Sequence, residues 1–197
     1  LKVAAALEER GYFVDFLDLA GVENCEEVLE TYLNQNPLMK TFGLTATTPQ
    51  VPFAFKIANH IRQFSREAKI ILGGTHPSLM HSAMKKEKSP GRATKDIQAL
   101  LDNFDVIVAG DGEKAIFEAL DIDKGVVDAD IPKGGLFLTN DELEELPFPA
   151  RHLVDVDSYH YRIEGAKATS LICQLGCPFK CTFCGGRNSP FLRRIRT

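Results

Sequence analysis

Three cysteines lie within eight residues near the end of the chain, in the run Cys177-Pro-Phe-Lys-Cys181-Thr-Phe-Cys184. The spacing is C-x-x-x-C-x-x-C. Three thiolates on one short loop can each bind one iron of a four-iron four-sulfur cluster, leaving the fourth iron without a protein ligand. An open iron is chemically useful. It can chelate the amino and carboxylate groups of S-adenosylmethionine (SAM) and pass an electron into the sulfonium. Zinc fits less well, because structural zinc needs four protein ligands and usually paired C-x-x-C spacings. Cys173 lies just upstream and reads as a small buried strand residue, and Cys25 stands alone. Four of the five cysteines thus fall between Cys173 and Cys184, a clustering that points to metal rather than to disulfides.

A second set of residues suggests ligand contact through the backbone. Gly43-Leu44-Thr45-Ala46-Thr47, Gly73-Gly74-Thr75-His76-Pro77-Ser78 and Gly110-Asp111-Gly112-Glu113 each follow or end an apolar run. In open parallel sheets, ligands sit at the carboxyl ends of strands. Asp111 and Glu113 read as acids favoured at a helix N-terminus, and His76 as a loop histidine at a strand end. His60, His81, His152 and His160 show no partner pattern.

These residues need elements to hold them. Val3, Ala6 and Leu7, closed by Gly11, predict an opening amphipathic helix. Tyr12 to Leu19 reads as a strand, and Asn24 with Glu27 as a capping box starting a helix that stops before Pro37. Thr41 to Thr47, Lys69 to Leu72 and Asp105 to Ala109 read as buried strands, with a helix over Val51 to Ala68 between the first two. His81 to Thr94 is polar and basic and reads as a loop; Asp96 is read as the cap of the next helix, and Glu113 to Leu120 as a further one. Alternation of apolar strands and helices predicts an α/β fold, a flavodoxin-like or Rossmann-like parallel sheet. In the flavodoxin-like order a central strand should precede Leu1, so the chain reads as a fragment.

Three regions are expected. Residues 1–128 form the α/β domain, 129–165 an acidic, proline-containing linker, and 166–197 a strand (Ala168 to Cys173) leading into the cysteine loop. The chain carries 44% hydrophobic and 25% charged residues and a net charge of −4, which gives no reason to expect nucleic acid as a partner. Arg187, Arg193, Arg194 and Arg196 crowd the end and read as solvated surface. No apolar run reaches the length of a membrane helix, and the opening residues lack a signal-peptide pattern, so the cytoplasm is the expected compartment.

The segment GCPFKCTFCGG resembles the cluster loop of the radical SAM superfamily, with Gln174-Leu175-Gly176 standing where relatives often have Ser-Arg-Gly. By that resemblance Cys177, Cys181 and Cys184 ligate the cluster and Phe183 packs beside the SAM adenine. Gly185 and Gly186 let the backbone approach cluster and ligand. The region upstream, with the motifs above and the linker Leu146-Pro147-Phe148-Pro149-Ala150-Arg151, resembles the cobalamin-binding domain that precedes the radical SAM (β/α) barrel in one subfamily. The resemblance implies cobalamin contacts at Thr45, Thr47, Gly73, Gly74, His76, Gly110 and Gly112, with Gly73 and Gly74 leaving space for the nucleotide tail. No Asp-x-His-x-x-Gly motif, the usual source of a cobalt-ligating histidine, is present. The implied enzyme cleaves SAM reductively and is a cobalamin-dependent methyltransferase or cyclase, using a small reductant protein (flavodoxin or ferredoxin) and a small-molecule substrate. A methylthiotransferase and a non-catalytic cobalamin or electron-transfer module stay open as alternatives.

Overall fold

The computed structural model describes residues 1–159, 161–169 and 176–195. Four short strands form one all-parallel sheet in the order β1 (Thr41–Thr45), β2 (Lys69–Gly73), β3 (Val106–Gly110), β4 (Gly125–Ala129). Thr41 pairs with Lys69 and Thr45 with Gly73, while Val106 pairs with Gly125 and Gly110 with Ala129. All four strands therefore bring their carboxyl ends to one edge.

Side chains alternate between the two faces of a strand. Ile70, Leu72 and Ile107 point into a core with Leu29 and Leu33 of α2 (Cys25–Gln35), Ala54, Ala58 and Ile61 of α3 (Val51–Phe64), and Ile97 and Leu100 of α5 (Arg92–Asn103). Ile71, Val106, Val108 and Val127 face the other way, onto Ala115, Ile116 and Ala119 of α6 (Gly112–Asp121) and Val3 and Leu7 of α1 (Lys2–Glu9). Burial on both faces explains why KIIL and DVIVA are continuous apolar runs. β1 is the exception. Its pattern is alternately exposed and half-buried, and it lies at the sheet's edge with β2 as its neighbour among the described residues.

Three sequence expectations are corrected. Tyr12 to Leu19 is not a strand: Phe13 is 82% exposed, and Tyr12 instead meets Phe117 with ring centroids 6.1 Å apart. The sheet among the described residues does not include this segment, so extension gives its amides no ladder to join. His81 to Thr94 is not a loop. α4 (Thr75–Met84) runs through its start and α5 begins at Arg92. Between them Glu87, rather than Asp96, caps α5. Its carboxylate accepts from the N–H groups of Gly91 (2.9 Å), Ala93 (2.9 Å) and Thr94 (3.1 Å) and from the Thr94 hydroxyl (2.6 Å). These donors hold the Glu87 carboxyl down at about 2. β4 is an additional strand that the sequence reading does not include.

The chain after β4 remains folded onto the domain. Leu138 and Ala150 are buried. α7 (Asn140–Glu145) opens with a capping box in which Thr139 accepts from the Glu142 N–H at 3.2 Å. A two-residue antiparallel pair, β5 (Arg162–Ile163) with β6 (Ala166–Lys167), follows. The strand expected from Ala168 to Cys173 is not found at Ala168 or Thr169, and the rest of it lies outside the described residues.

Only Gly74 separates β2 from α4, at φ +105°, and a Cβ there would stand 2.7 Å from Thr45 Oγ1 and 2.8 Å from the Ala46 N and O. Gly74→Ala should therefore cost at least ~2 kcal/mol from positive φ and backbone clash together. Gly43→Ala, with nothing within 4 Å, should change stability by less than ~1 kcal/mol. Urea unfolding of the two variants checks the contrast, and equal effects would contradict it.

Candidate cofactor site at the carboxyl edge of the sheet

The edge is stitched together by backbone and small side chains. The Ala46 N–H donates to Gly73 O and the His76 N–H to Ala46 O, both at 3.1 Å. The Ser78 hydroxyl donates to Gly74 O at 2.8 Å and accepts from the Gly110 N–H at 3.0 Å, tying β2, α4 and β3 at one buried atom. Each of these groups would otherwise be an unpaired strand-end or helix-start group.

At the β1–β2 end the structure gathers five of the predicted residues. Thr45 and Thr47 are exposed, and Gly73 is half-buried. A Cβ on Gly73 would meet nothing nearer than Val108 Cβ at 4.0 Å, so this glycine does leave open space. Gly74 does not, because Thr45 and Ala46 fill the space beside it. Thr47 uses its hydroxyl to donate to Gln50 Oε1 at 2.8 Å, closing the turn over 48–50. His76 is in the first turn of α4, 7% exposed, and its Nδ1 lies 3.1 Å from the Thr48 hydroxyl. Burial pushes its pKa below the ordinary 6.5, and the negative charge of Asp96 pulls the other way. His81, on the same helix, is also pushed down, first by burial. Its Nδ1 stands 3.7 Å from Asp128, whose carboxylate is bonded to Lys85 at 2.8 Å.

At the β3–β4 end the two predicted glycines serve internal packing. Gly110, at φ +101°, would place a Cβ 2.6 Å from Ala129 C, and Gly112 one 2.9 Å from Val3 Cγ2. The residues that dominate this end are two carboxylates, Asp111 and Asp130, each 1% exposed. Asp111 accepts from the Leu138 N–H at 3.2 Å and from Arg194 at 3.1 Å. Asp130 accepts from the Ser82 hydroxyl and from the Phe191 N–H. Asp111 is thus more than a helix-start acid, and Arg194 is not solvated surface: its guanidinium also lies over the Phe137 ring at 4.1 Å. Asp130 was missed. Its one sequence signal is an acid immediately after an apolar strand.

The cysteine segment comes to this same end through α8 (Pro190–Arg193), while Gly185 rests on Leu79 of α4 at 3.8 Å from its ideal Cβ. Cys177, Cys181 and Cys184 are all exposed and free, and the Cys184 N–H donates to Cys181 O at 3.1 Å. Among the described residues, no three histidine, cysteine or carboxylate side chains converge as a metal-holding group. Phe183 is 91% exposed. A Cβ on Gly186 would lie 3.4 Å from Leu192 and 3.6 Å from Cys184 Sγ. Cys25 is at the start of α2, its thiol donating to Val22 O at 2.6 Å, and Cys173 lies outside the described residues.

The model of the B12 binding domain matches residues 2–120, the part of the chain that builds the sheet and its helices. The chain belongs to the B12-binding domain family. An uncharacterized methyltransferase of Pyrococcus horikoshii is 23% identical over 154 residues, which is 72% of this chain and 30% of that protein. The chain therefore spans under a third of the relative it matches. No solved structure matches. The four-stranded parallel sheet with helices on both faces agrees with the flavodoxin-like form expected of a B12-binding domain. No helix among the described residues is long and apolar enough to cross a membrane.

The two buried histidines make the domain acid-sensitive in a defined window. Their folded pKa values are lowered, so the unfolded chain takes up protons first as pH falls. Their stabilising contribution is present above about 6.5 and is lost as pH drops through the lowered folded values. Urea midpoints should decline on acidification below 6.5, less steeply in His76→Gln. A midpoint that rises there would contradict the assignment.

Proposed function

We propose that this chain is the cobalamin-binding domain and cluster loop of a radical SAM enzyme, a cobalamin-dependent methyltransferase. The observation that carries the reading is the union, in one chain, of a B12-binding domain with a C-x-x-x-C-x-x-C loop docked on it. The methyltransferase name of the Pyrococcus horikoshii relative supports the outcome of the reaction.

The residues fit cobalamin at the β1–β2 end. Gly73 leaves open volume at the strand terminus, Thr45 offers an exposed hydroxyl, and β1 has an exposed face beside it. Parallel strands are ordinarily covered on both faces, so an uncovered one beside the ligand edge is room for a large flat cofactor. His76, buried and held at Nδ1 by Thr48, would be a contact; it is not assigned as a cobalt ligand because it does not lie in an Asp-x-His-x-x-Gly motif. When bound, cobalamin supplies a transferable methyl group.

Cys177, Cys181 and Cys184 would hold the cluster. Their exposure lets the loop gather all three thiolates on one side, and Gly185 and Gly186 keep the following backbone slim. A cluster held there would provide one-electron reduction of SAM, and Phe183, 91% exposed beside Cys184, would be free to cover the adenine. The protein's own task is to hold the two cofactors on one edge of the sheet and exclude water between them.

Full-length protein purified without oxygen should carry about four irons per chain and release 5′-deoxyadenosine from SAM with a reductant. Cys177→Ala, Cys181→Ala and Cys184→Ala should each remove both properties, and Cys25→Ala neither. Full iron loading of the Cys181→Ala protein would overturn the ligand assignment.

A further inference from the structure

A buried carboxylate is retained only where donors satisfy it, because desolvation of an unpaired charge is costly. Asp111 follows β3 and Asp130 follows β4, and neither draws all its donors from the sheet. On Asp130, one carboxylate oxygen accepts from Ser82 of α4 and the other from the Phe191 N–H, 61 residues away in the chain. On Asp111, Leu138 and Arg194 donate, the latter 83 residues away. The donors Phe191 and Arg194 belong to the segment that carries the cysteines. Ser189, fully buried, lies between them and Cys184 and accepts from the Leu192 N–H at 3.2 Å. Lys86 of the turn after α4 reaches Asn188 Oδ1 at 3.2 Å.

We propose that Asp130 and Asp111 are positioning residues that clasp the cysteine segment to the carboxyl edge of the sheet. They set the place of the Cys177–Cys184 loop relative to the cofactor end of the domain. This rests on the reading of that loop as a cluster loop, although the clasp itself is a property of the polypeptide. Asp130 acts through the Phe191 amide and Asp111 through the Arg194 guanidinium. Among the described residues, the donors shown on the two carboxylates are hydroxyl, amide and guanidinium groups, not thiols. The charge pairing also accounts for Arg194 in this segment: its side chain is 17% exposed, which that of a merely solvating arginine would not be.

Hydrogen–deuterium exchange of the full-length protein tests this, first without iron. Amides of residues 185–195 should be protected in the wild type, and Asp130→Ala should speed their exchange at least tenfold. Asp130→Asn, whose carbonyl still accepts from the Phe191 N–H, should restore protection. Arg194→Gln provides a second variant that leaves the sheet untouched and should loosen the same amides while β3 and β4 stay protected. In iron-loaded protein, the electron paramagnetic resonance signal of the reduced cluster should broaden in Asp130→Ala and sharpen again in Asp130→Asn. A segment that exchanges freely in the wild type, or one that stays as protected in both Asp130→Ala and Arg194→Gln as in the wild type, overturns the clasp. Protection in a protein that never takes up iron sustains the clasp and rejects the cluster reading instead.

Discussion

A parallel sheet ends in a row of peptide groups and turn residues that its own ladder cannot satisfy, and here everything of interest is built on how that edge is closed. Ser78 closes the β2–β3 part with one hydroxyl that both donates and accepts. Gly74 and Gly110 let neighbouring strand ends come within 3 Å of where a Cβ would stand. Asp111 and Asp130 complete the β3–β4 part with carboxylates that need donors from elsewhere. The edge thus divides in two. One half is sealed by the protein's own later segment, and the other stays open, with Thr45 exposed and free space beside Gly73.

That division bears on how a B12-binding domain holds the cysteine-bearing segment. The sealed half holds the cysteine segment against α4, and the open half adjoins the opposite end of the same helix through His76 and Gly74. α4 therefore links the two: its first turn carries His76, and its later turns carry Leu79 against Gly185 and Ser82 against Asp130. A single ten-residue helix fixes both places, so their separation is set by packing rather than by a flexible tether.

Legibility in the sequence followed the range of the interaction. β2 and β3 were readable because burial on both faces makes them continuous apolar runs, and the cysteine spacing because it is local. β4, with the sequence GVVDA, was missed because Asp128 interrupts its apolar run. Its partner Lys85 lies 43 residues away. α7 escaped notice in an acidic, proline-containing stretch even though Thr139-Asn-Asp-Glu142 is a capping box. Tyr12 to Leu19 has the composition of a strand but no ladder to join among the described residues, and composition does not report on partners. Gly73 and Gly74 are expected from the sequence to leave ligand space, and Gly110 and Gly112 to be contacts. Gly73 has the space, whereas at Gly74, Gly110 and Gly112 it is taken by the protein itself. The roles of Asp111 and Asp130 depend on donors that no local pattern indicates.

The central claim is that the open half of the edge receives cobalamin. A visible-absorbance titration of hydroxocobalamin into the iron-free full-length protein tests it most directly, with Gly73→Val compared alongside. Valine suits a strand, and a Cβ at this position meets nothing closer than 4.0 Å, so the variant should fold while filling the ligand space. The account predicts saturable one-to-one binding to the wild type and at least tenfold weaker binding to Gly73→Val. No saturable spectral change in the wild type, or equal affinity in the two proteins, would contradict it.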